Sequence, residues 1–303
     1  MDSDQIRDRE QQRLTEGREL YSDDTGKPRL RRSVAAYLDA LGTKEAVKGM
    51  TDAGLQQQIE LLDELNRTLH DASWEGRFQR MLTFSDSIAL AVPINGTAFG
   101  SELGMLSDSI ATYQFQLAIS GRFLRGGIST GDIYADYAHI TGPALVEAVV
   151  LEEHTAIVPR VLLSDEAIQY ALAAGYGSYG REAYTSEWNR TFMVDADGRA
   201  FVNYLDTALT AEQDDIGPAE HFLQQHKDVV VAALATYPDP SRIREKYAWV
   251  AQYHNAFCAQ HLQSDSLQIT DPDLTLLEDM FPRPFRPLFE PEPDSADPAD
   301  TSQ

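Results

Sequence analysis

Short apolar runs of strand length alternate with helical patterns between residues 31 and 164, and this alternation limits the folds open to the chain. The first run, Val34 to Leu38, ends at Asp39. Leucine and isoleucine spaced by three and four over 55–69 predict a helix, and residues 78–94 have the pattern of a hairpin. Helix, strand, helix and strand patterns follow. The order β, α, ββ, α, β, α, β predicts an α+β fold of the ferredoxin-like kind, a mixed sheet with helices packed on it.

The remaining residues divide by composition into three segments around this expected 31–164 domain. Residues 1–30 are polar and predict a flexible N-terminal arm. Residues 165–281 combine a hairpin signal at Asp197-Gly198 with helical patterns. We expect them to form a mainly helical extension that packs on the core or on a dimer partner. Residues 282–303 are acidic and rich in proline, which predicts a disordered tail.

The charge balance restricts the partners of the chain. It carries 48 Asp and Glu against 25 Lys and Arg in 303 residues, a formal charge of −23, and residues 33–281 hold 35 acids and 15 bases, or −20. Affinity for nucleic acids and anionic membranes comes from Lys and Arg, so neither is an expected partner. A lone cysteine, Cys258, a charged N-terminus and no long apolar stretch predict a cytoplasmic protein. A small anionic ligand would need metal ions or a few well-placed bases.

Two aspartates stand where predicted strands end. Asp39 closes the first strand, and Asp86 lies at the tip of the predicted hairpin. Carboxylates that meet at one sheet edge repel each other unless a cation lies between them, and their oxygens favour Mg²⁺ or Mn²⁺. The N–H groups of Leu41, Gly42 and Thr43, at the predicted start of a helix, are placed to hold phosphate oxygens. These features predict a two-metal phosphoryl-transfer site. The alternative is that either aspartate is a turn residue or helix cap.

Four segments in order carry a family resemblance: YLDALGTK, LTFSDSIAL, RGGISTGDIY and GPALVEAVVLEE. They resemble the catalytic core of class III nucleotidyl cyclases, and more narrowly the pyrimidine cyclases of the bacterial Pycsar anti-phage systems. The later segment KYAWVAQYHN is also similar to that group. The resemblance covers about residues 31–164.

This resemblance implies both a chemistry and an assembly. Asp39, Asp86 and the backbone carbonyl of Ala40 would hold two divalent ions, Mn²⁺ or Mg²⁺. The ribose 3′-oxygen would attack the α-phosphorus and pyrophosphate would leave, converting UTP, or alternatively CTP, to its 3′,5′-cyclic monophosphate. The family also implies a head-to-tail homodimer with sites at the interface, and a downstream effector that senses the cyclic nucleotide during phage infection.

Two further residues are assigned by their positions relative to the family pattern. Where other class III cyclases carry an Asn and an Arg, this chain has Val146 and Val150, so we expect Arg125 to contact phosphate or base instead; the alternative is a surface ion pair. Tyr37 lies two residues before Asp39, hence on the same strand face. There it would contact the sugar or base and favour a pyrimidine, or else belong to the core.

Two rival functions remain open from the sequence. One is an ordinary adenylate or guanylate cyclase. The other is a catalytically silent module that binds a nucleotide and signals by docking.

Overall fold

A computed structural model of the chain describes residues 18–41, 51–56, 59–60, 63, 79–84, 87–95, 101–136, 138–173, 190–237, 241–262, 264–270 and 285–288. Its strands are β1 (Arg31–Ala40), β2 (Arg80–Phe84), β3 (Ser87–Pro93), β4 (Leu124–Ala135), β5 (Ile140–Thr141), β6 (Val161–Leu163), β7 (Phe192–Val194), β8 (Ala200–Val202) and β9 (Arg286–Pro287). Its helices are α1 (Ser101–Ile119), α2 (Pro143–Val150), α3 (Asp165–Ala173), α4 (Asp206–Gln213), α5 (Ala219–Thr236) and α6 (Arg242–His261). A π-helical turn, Leu151–Thr155, continues α2, and a 3₁₀ turn covers Asp265–Leu267.

The strands form one mixed sheet in the order β2-β3-β1-β4-β6-β8-β7-β9, with β5 paired to β4. Strand β1 lies between β3 and β4 and is antiparallel to both, whereas β4 and β6 are parallel. The predicted hairpin is present, and its strands pair as far as Phe84 opposite Ser87. The prediction of a mixed sheet with helices packed on it is confirmed.

Alternate residues of β1 and β4 serve the two faces of the sheet. On one face Val34, Ala36 and Leu38 join the main core, which also contains buried side chains of α1, α5 and α6. On the other face Ala35 packs in a smaller cluster with Ala144 of α2. The two faces of β1 therefore bury alternate residues, as the two-residue period of a strand predicts.

Helix α2 lies very close to β4, and glycine makes this approach possible. A Cβ at Gly127 would overlap the carbonyl oxygen of Ala148 and come within 2.7 Å of Leu151 Cβ, while one at Gly126 would lie 2.6 Å from the Tyr37 carbonyl oxygen. Gly126 and Gly127 of the segment RGGISTG are thus required by packing of the backbone.

The chain outside the expected core is more closely joined to the sheet than the sequence predicts. Strand β8 pairs with β6 through Leu162 and Phe201, so the sheet crosses the predicted boundary after residue 164. The prediction of a disordered tail is wrong for residues 286–287, which pair with β7. Within the predicted flexible arm, Tyr21 is fully buried and its hydroxyl lies 2.8 Å from Ser33 Oγ. No helix in the described ranges is long and apolar enough to cross a membrane.

Candidate active site

Asp39 lies near the end of the central strand, between partners on both neighbouring strands. Its Cα is in register with Ser87 at the start of β3 and with Arg125 near the start of β4. Ser87 Oγ donates to Asp39 Oδ1 over 3.2 Å, and Arg125 Nη2 lies 3.4 Å from Asp39 Oδ2. The structure thus brings together Asp39 and Arg125, which are 86 residues apart in the chain. The carboxylate is one-fifth exposed, so a ligand can reach it.

Arg125 is held from its other side by a buried glutamate. Its Nε lies 2.6 Å from Oε1 of Glu152, whose side chain is only 3% exposed, while that of Arg125 is 26% exposed. A buried carboxylate requires a cationic partner, and this pair supplies one. The alternative of a surface ion pair does not describe Arg125, because its partner is buried and its guanidinium also contacts Asp39.

The π-helical turn after α2 carries Glu152 into this position. The N–H of Ala156 donates to the carbonyl of Leu151 over 2.8 Å, and Glu152 is buried whereas Glu153 is 57% exposed. Single π turns occur often at functional sites. The wider π turn changes the side that each residue presents, so Glu152 faces the interior while its neighbour Glu153 faces solvent.

Tyr37 lies two residues before Asp39 on β1, opposite Ala89 of β3 and Gly127 of β4. Its ring centre is 6.3 Å from that of Phe84, whose side chain is largely exposed. Partial burial raises the pKa of Tyr37, a hydrogen bond with Ser87 opposes that shift, and the charges of Asp39 and Glu152 add to it. Tyr37 is only partly buried, and its side chain is not among those that form the main core.

A second cation, Lys246, comes from helix α6 and was not among the candidates from the sequence. Burial lowers the pKa of its ammonium, the positive charge of Arg125 lowers it further, and the Asp39 carboxylate acts in the opposite direction. The charge of Lys246 therefore acts on the same two residues that contact each other at the end of β1. The signal was present, since Lys246 begins the segment KYAWVAQYHN, but a half-buried helix lysine has no local feature that distinguishes it.

The remaining predicted ligands of metal and phosphate differ in outcome. The N–H of Leu41 donates to the carbonyl of Phe123 over 2.8 Å, so the prediction that this group is free for phosphate is wrong: the chain is still bonded to the neighbouring strand here. Ala40, opposite Leu124 at the end of β1, directly follows Asp39. Gly42 and Thr43 lie outside the described residues.

Asp86 also lies outside the described residues, but its neighbour in the chain is informative. Ser87 is opposite Asp39 in the β1–β3 register. In the sequence, Asp86 therefore directly precedes the residue that lies opposite Asp39.

The donor chemistry at Asp39 fits a hard divalent ion. A carboxylate and the adjacent backbone carbonyl are oxygen donors of the type that Mg²⁺ and Mn²⁺ select. In the part of the chain that the structure describes, no group of three or more His, Cys, Asp or Glu side chains could hold a metal. Among the described residues, Asp39 and the carbonyl of Ala40 are the oxygen donors that the sequence predicts for a metal.

Val146 and Val150, at the positions where the resembling family carries polar residues, lie on α2. Their side chains are 63% and 46% exposed. They contribute no polar group to the site.

Comparison with known proteins gives the following matches. No protein-family model and no curated protein matches the sequence. Among solved structures, the adenylyl cyclase CyaB from P. aeruginosa is similar at a TM-score of 0.40 and 15% identity, over 48% of this chain and 82% of that one. A class III adenylyl cyclase-like ATP-binding protein from Pseudomonas aeruginosa is similar at a TM-score of 0.41 and 13% identity, over 76% and 52%. An adenylate/guanylate cyclase/hydrolase from Silicibacter pomeroyi is similar at 0.36 and 17%, over 48% and 81%. Likeness at this level of identity does not define a function.

Proposed function

We propose that the protein is a metal-dependent nucleotide cyclase that converts UTP to 3′,5′-cyclic UMP and pyrophosphate. The observation that carries this proposal is the position of Asp39, in register between Ser87, which follows Asp86, and the cation Arg125. A carboxylate and a guanidinium in contact at an accessible sheet edge can serve a metal ion and a phosphate side by side. The resemblance of the four sequence segments to pyrimidine cyclases supports the reaction class.

The chain's own residues divide the work of the reaction. Asp39, with Asp86 and the Ala40 carbonyl, would hold two divalent ions, which when bound lower the pKa of the ribose 3′-hydroxyl and neutralise the triphosphate. Arg125 would contact the phosphates, with Glu152 fixing its guanidinium. The O3′–Pα bond forms as the bond from Pα to pyrophosphate breaks, and the hydroxyl proton leaves to water. The described site offers no histidine as a base.

Tyr37 supports the choice of a pyrimidine. Its ring and that of Phe84 lie at the margin next to Asp39, where a nucleobase bound through its triphosphate would arrive. Aromatic faces stack on bases, and a bulky ring at this point leaves less room for the larger purine. UTP is proposed over CTP on the family resemblance alone.

The local charge supports an anionic substrate in spite of the overall acidity. Residues 33–281 carry −20, yet Arg125 and Lys246 balance Asp39 and Glu152 at the site. Divalent ions would then make the site net positive, which a triphosphate requires.

The experiment that tests the proposal gives the purified protein each of the four ribonucleoside triphosphates with Mn²⁺ and identifies the products by mass spectrometry. We expect cyclic UMP and pyrophosphate. Asp39→Asn should abolish product, whereas Asp132→Asn, an exposed position on β4, should leave turnover unchanged. Cyclic AMP or GMP as the main product would refute the pyrimidine assignment, and full activity of Asp39→Asn would refute the site.

A second candidate, a nucleotide-binding module without turnover, is favoured by the two exposed valines of α2. Val146 and Val150 are exposed apolar residues where other class III cyclases use polar groups on the nucleotide. If this candidate is correct, UTP binds in a manner that Asp39→Asn weakens, but no cyclic product forms with any of the four nucleotides. The same assay, combined with a binding measurement, separates the two.

The resemblance also supports a homodimer with sites at the interface, and a role of the cyclic nucleotide as a signal to an effector in anti-phage defence. Sedimentation of the purified protein tests the dimer. Cyclic UMP measured in cells before and after phage infection tests the role, which a constant level would contradict.

A further inference from the structure

Helix α6 belongs to the segment that the sequence assigned to a packing role, yet its first turns reach the sheet edge that carries Asp39 and Arg125. The ring of Tyr247 packs edge to face on that of Phe123, with centres 5.4 Å apart. Phe123 lies two residues before Arg125 and accepts the N–H of Leu41, two residues after Asp39. The start of α6 is thus anchored at the point where β1 ends and β4 begins.

Lys246, next to Tyr247, is the cation that this anchoring brings to the edge. It is half-buried and its charge interacts with those of Arg125 and Asp39. Asp39 and Glu152 both contact Arg125, whereas Lys246 adds a second cation whose positive charge repels that of Arg125. An anion bound between Arg125 and Lys246 would relieve that repulsion, and an ammonium on a flexible stem is well suited to reach phosphate oxygens.

We propose that Lys246 and Arg125 form a two-cation clamp for the triphosphate of the substrate, so that helix α6 closes the phosphate side of the site. The proposal rests on the proposed function only for the identity of the ligand. The clamp itself is a claim about triphosphate binding, whether or not cyclisation follows. It gives the C-terminal helix a direct part in substrate recognition.

The binding test uses inorganic triphosphate and titration calorimetry on the full chain, with and without Mg²⁺. Lys246→Met should weaken binding by about 10- to 100-fold, the range expected for one charge-assisted contact. Arg242→Met removes the same charge from an exposed position on the same helix, and we expect a change of less than about 2-fold because long-range charge effects are screened. Lys246→Arg should retain most of the affinity.

A turnover measurement separates clamping from a structural role. With UTP and Mn²⁺, Lys246→Met should raise KM more than it lowers kcat, and Lys246→Arg should restore KM. Equal melting temperatures of the wild type and Lys246→Met show that folding is intact. If Lys246→Met does not fold, acetylation of the wild-type protein replaces it: triphosphate should protect Lys246 from acetylation and leave Lys227, which donates to the Ser266 carbonyl elsewhere, unprotected.

Binding of triphosphate to Lys246→Met within 2-fold of the wild type, or acetylation of Lys246 that triphosphate does not slow, would overturn the clamp. So would a wild-type protein that binds no triphosphate under either metal condition. Absence of cyclic product from all four nucleotides, with Lys246-dependent triphosphate binding intact, would instead reject the proposed function and keep the clamp. The two failures are therefore distinguishable.

Discussion

Two buried histidines on neighbouring helices should make the folded state sensitive to acid. His226 of α5 and His254 of α6 are fully buried, with stacked rings 5.1 Å apart and Nδ1 atoms separated by 3.1 Å. The hydrogen bonds determine which ring nitrogen carries the proton in each histidine. His254 Nε2 donates to the carbonyl of Leu267 over 3.0 Å, so Nε2 holds the proton of that ring. His254 Nδ1 must therefore accept from His226 Nδ1. His226 Nε2 then accepts from Tyr204, 3.0 Å away. Both rings are neutral, and a proton on either would break this chain of bonds.

The size of the effect follows from the pKa shift. Burial lowers the pKa of His254 from 6.5 to about 4, and burial with the adjacent His254 lowers that of His226 well below its usual value. As the pH falls, these histidines take up protons in the unfolded chain before they do so in the folded protein. Their contribution to the free energy of unfolding is therefore fully present above pH 6.5 and is lost as the pH falls towards 4. At 1.36 kcal/mol per pKa unit, His254 alone accounts for roughly 3 kcal/mol over the whole range, of which more than about 2 kcal/mol is lost by pH 4.5.

The assay is urea unfolding at pH 7.5 and 4.5, compared between the wild type and His254→Asn. The asparagine oxygen can still accept from His226 but cannot titrate. We expect the variant to be less stable at pH 7.5, since it loses the bond to Leu267, and to lose about 2 kcal/mol less than the wild type on acidification. His154→Gln, at an exposed position, should lose as much as the wild type. Equal losses in His254→Asn and the wild type would refute the reasoning.

Three further predictions concern the site and its support. Glu152→Gln should lower kcat/KM for UTP by roughly 10-fold or more, since Arg125 loses its charged buried partner. Glu153→Gln, at the exposed neighbour, should match the wild type in the same assay. Equal kinetics of the two variants would contradict a positioning role of Glu152. Gly127→Ala should destabilise the fold by about 3 kcal/mol in urea unfolding, because its Cβ would overlap helix α2. Gly131→Ala, whose Cβ would have only a 3.3 Å contact to Ala144 Cβ, should destabilise the fold less. A larger loss of stability in Gly131→Ala than in Gly127→Ala would disprove the close approach of α2 to β4. Removal of divalent ions with EDTA should weaken UTP binding in calorimetry as well as abolish turnover, and tight metal-free binding would show that the side-chain cations alone neutralise the triphosphate.

Periodicity and turn chemistry allowed the sequence to predict the local elements. The apolar run ending at Asp39 and the hairpin of β2 and β3 both follow from patterns within a few residues. So does the common face of Tyr37 and Asp39, because side chains alternate along a strand. The residue types at the candidate metal site were visible for the same reason.

The tertiary structure alone decided which distant residues surround Asp39. Arg125 lies opposite it because of strand register, Glu152 is buried because a π turn interrupts α2, and Lys246 arrives because α6 packs on Phe123. Each of these positions depends on how whole strands and helices pack against one another. Such packing involves residues far apart in the chain, so local sequence patterns do not predict it. The N–H of Leu41 shows the converse: its sequence context predicts a free helix start, and pairing with the neighbouring strand at Phe123 takes that group instead. The sequence by itself therefore determined the strands and the acid at the end of one of them, and only the folded chain determined the cations and the buried carboxylate around that acid.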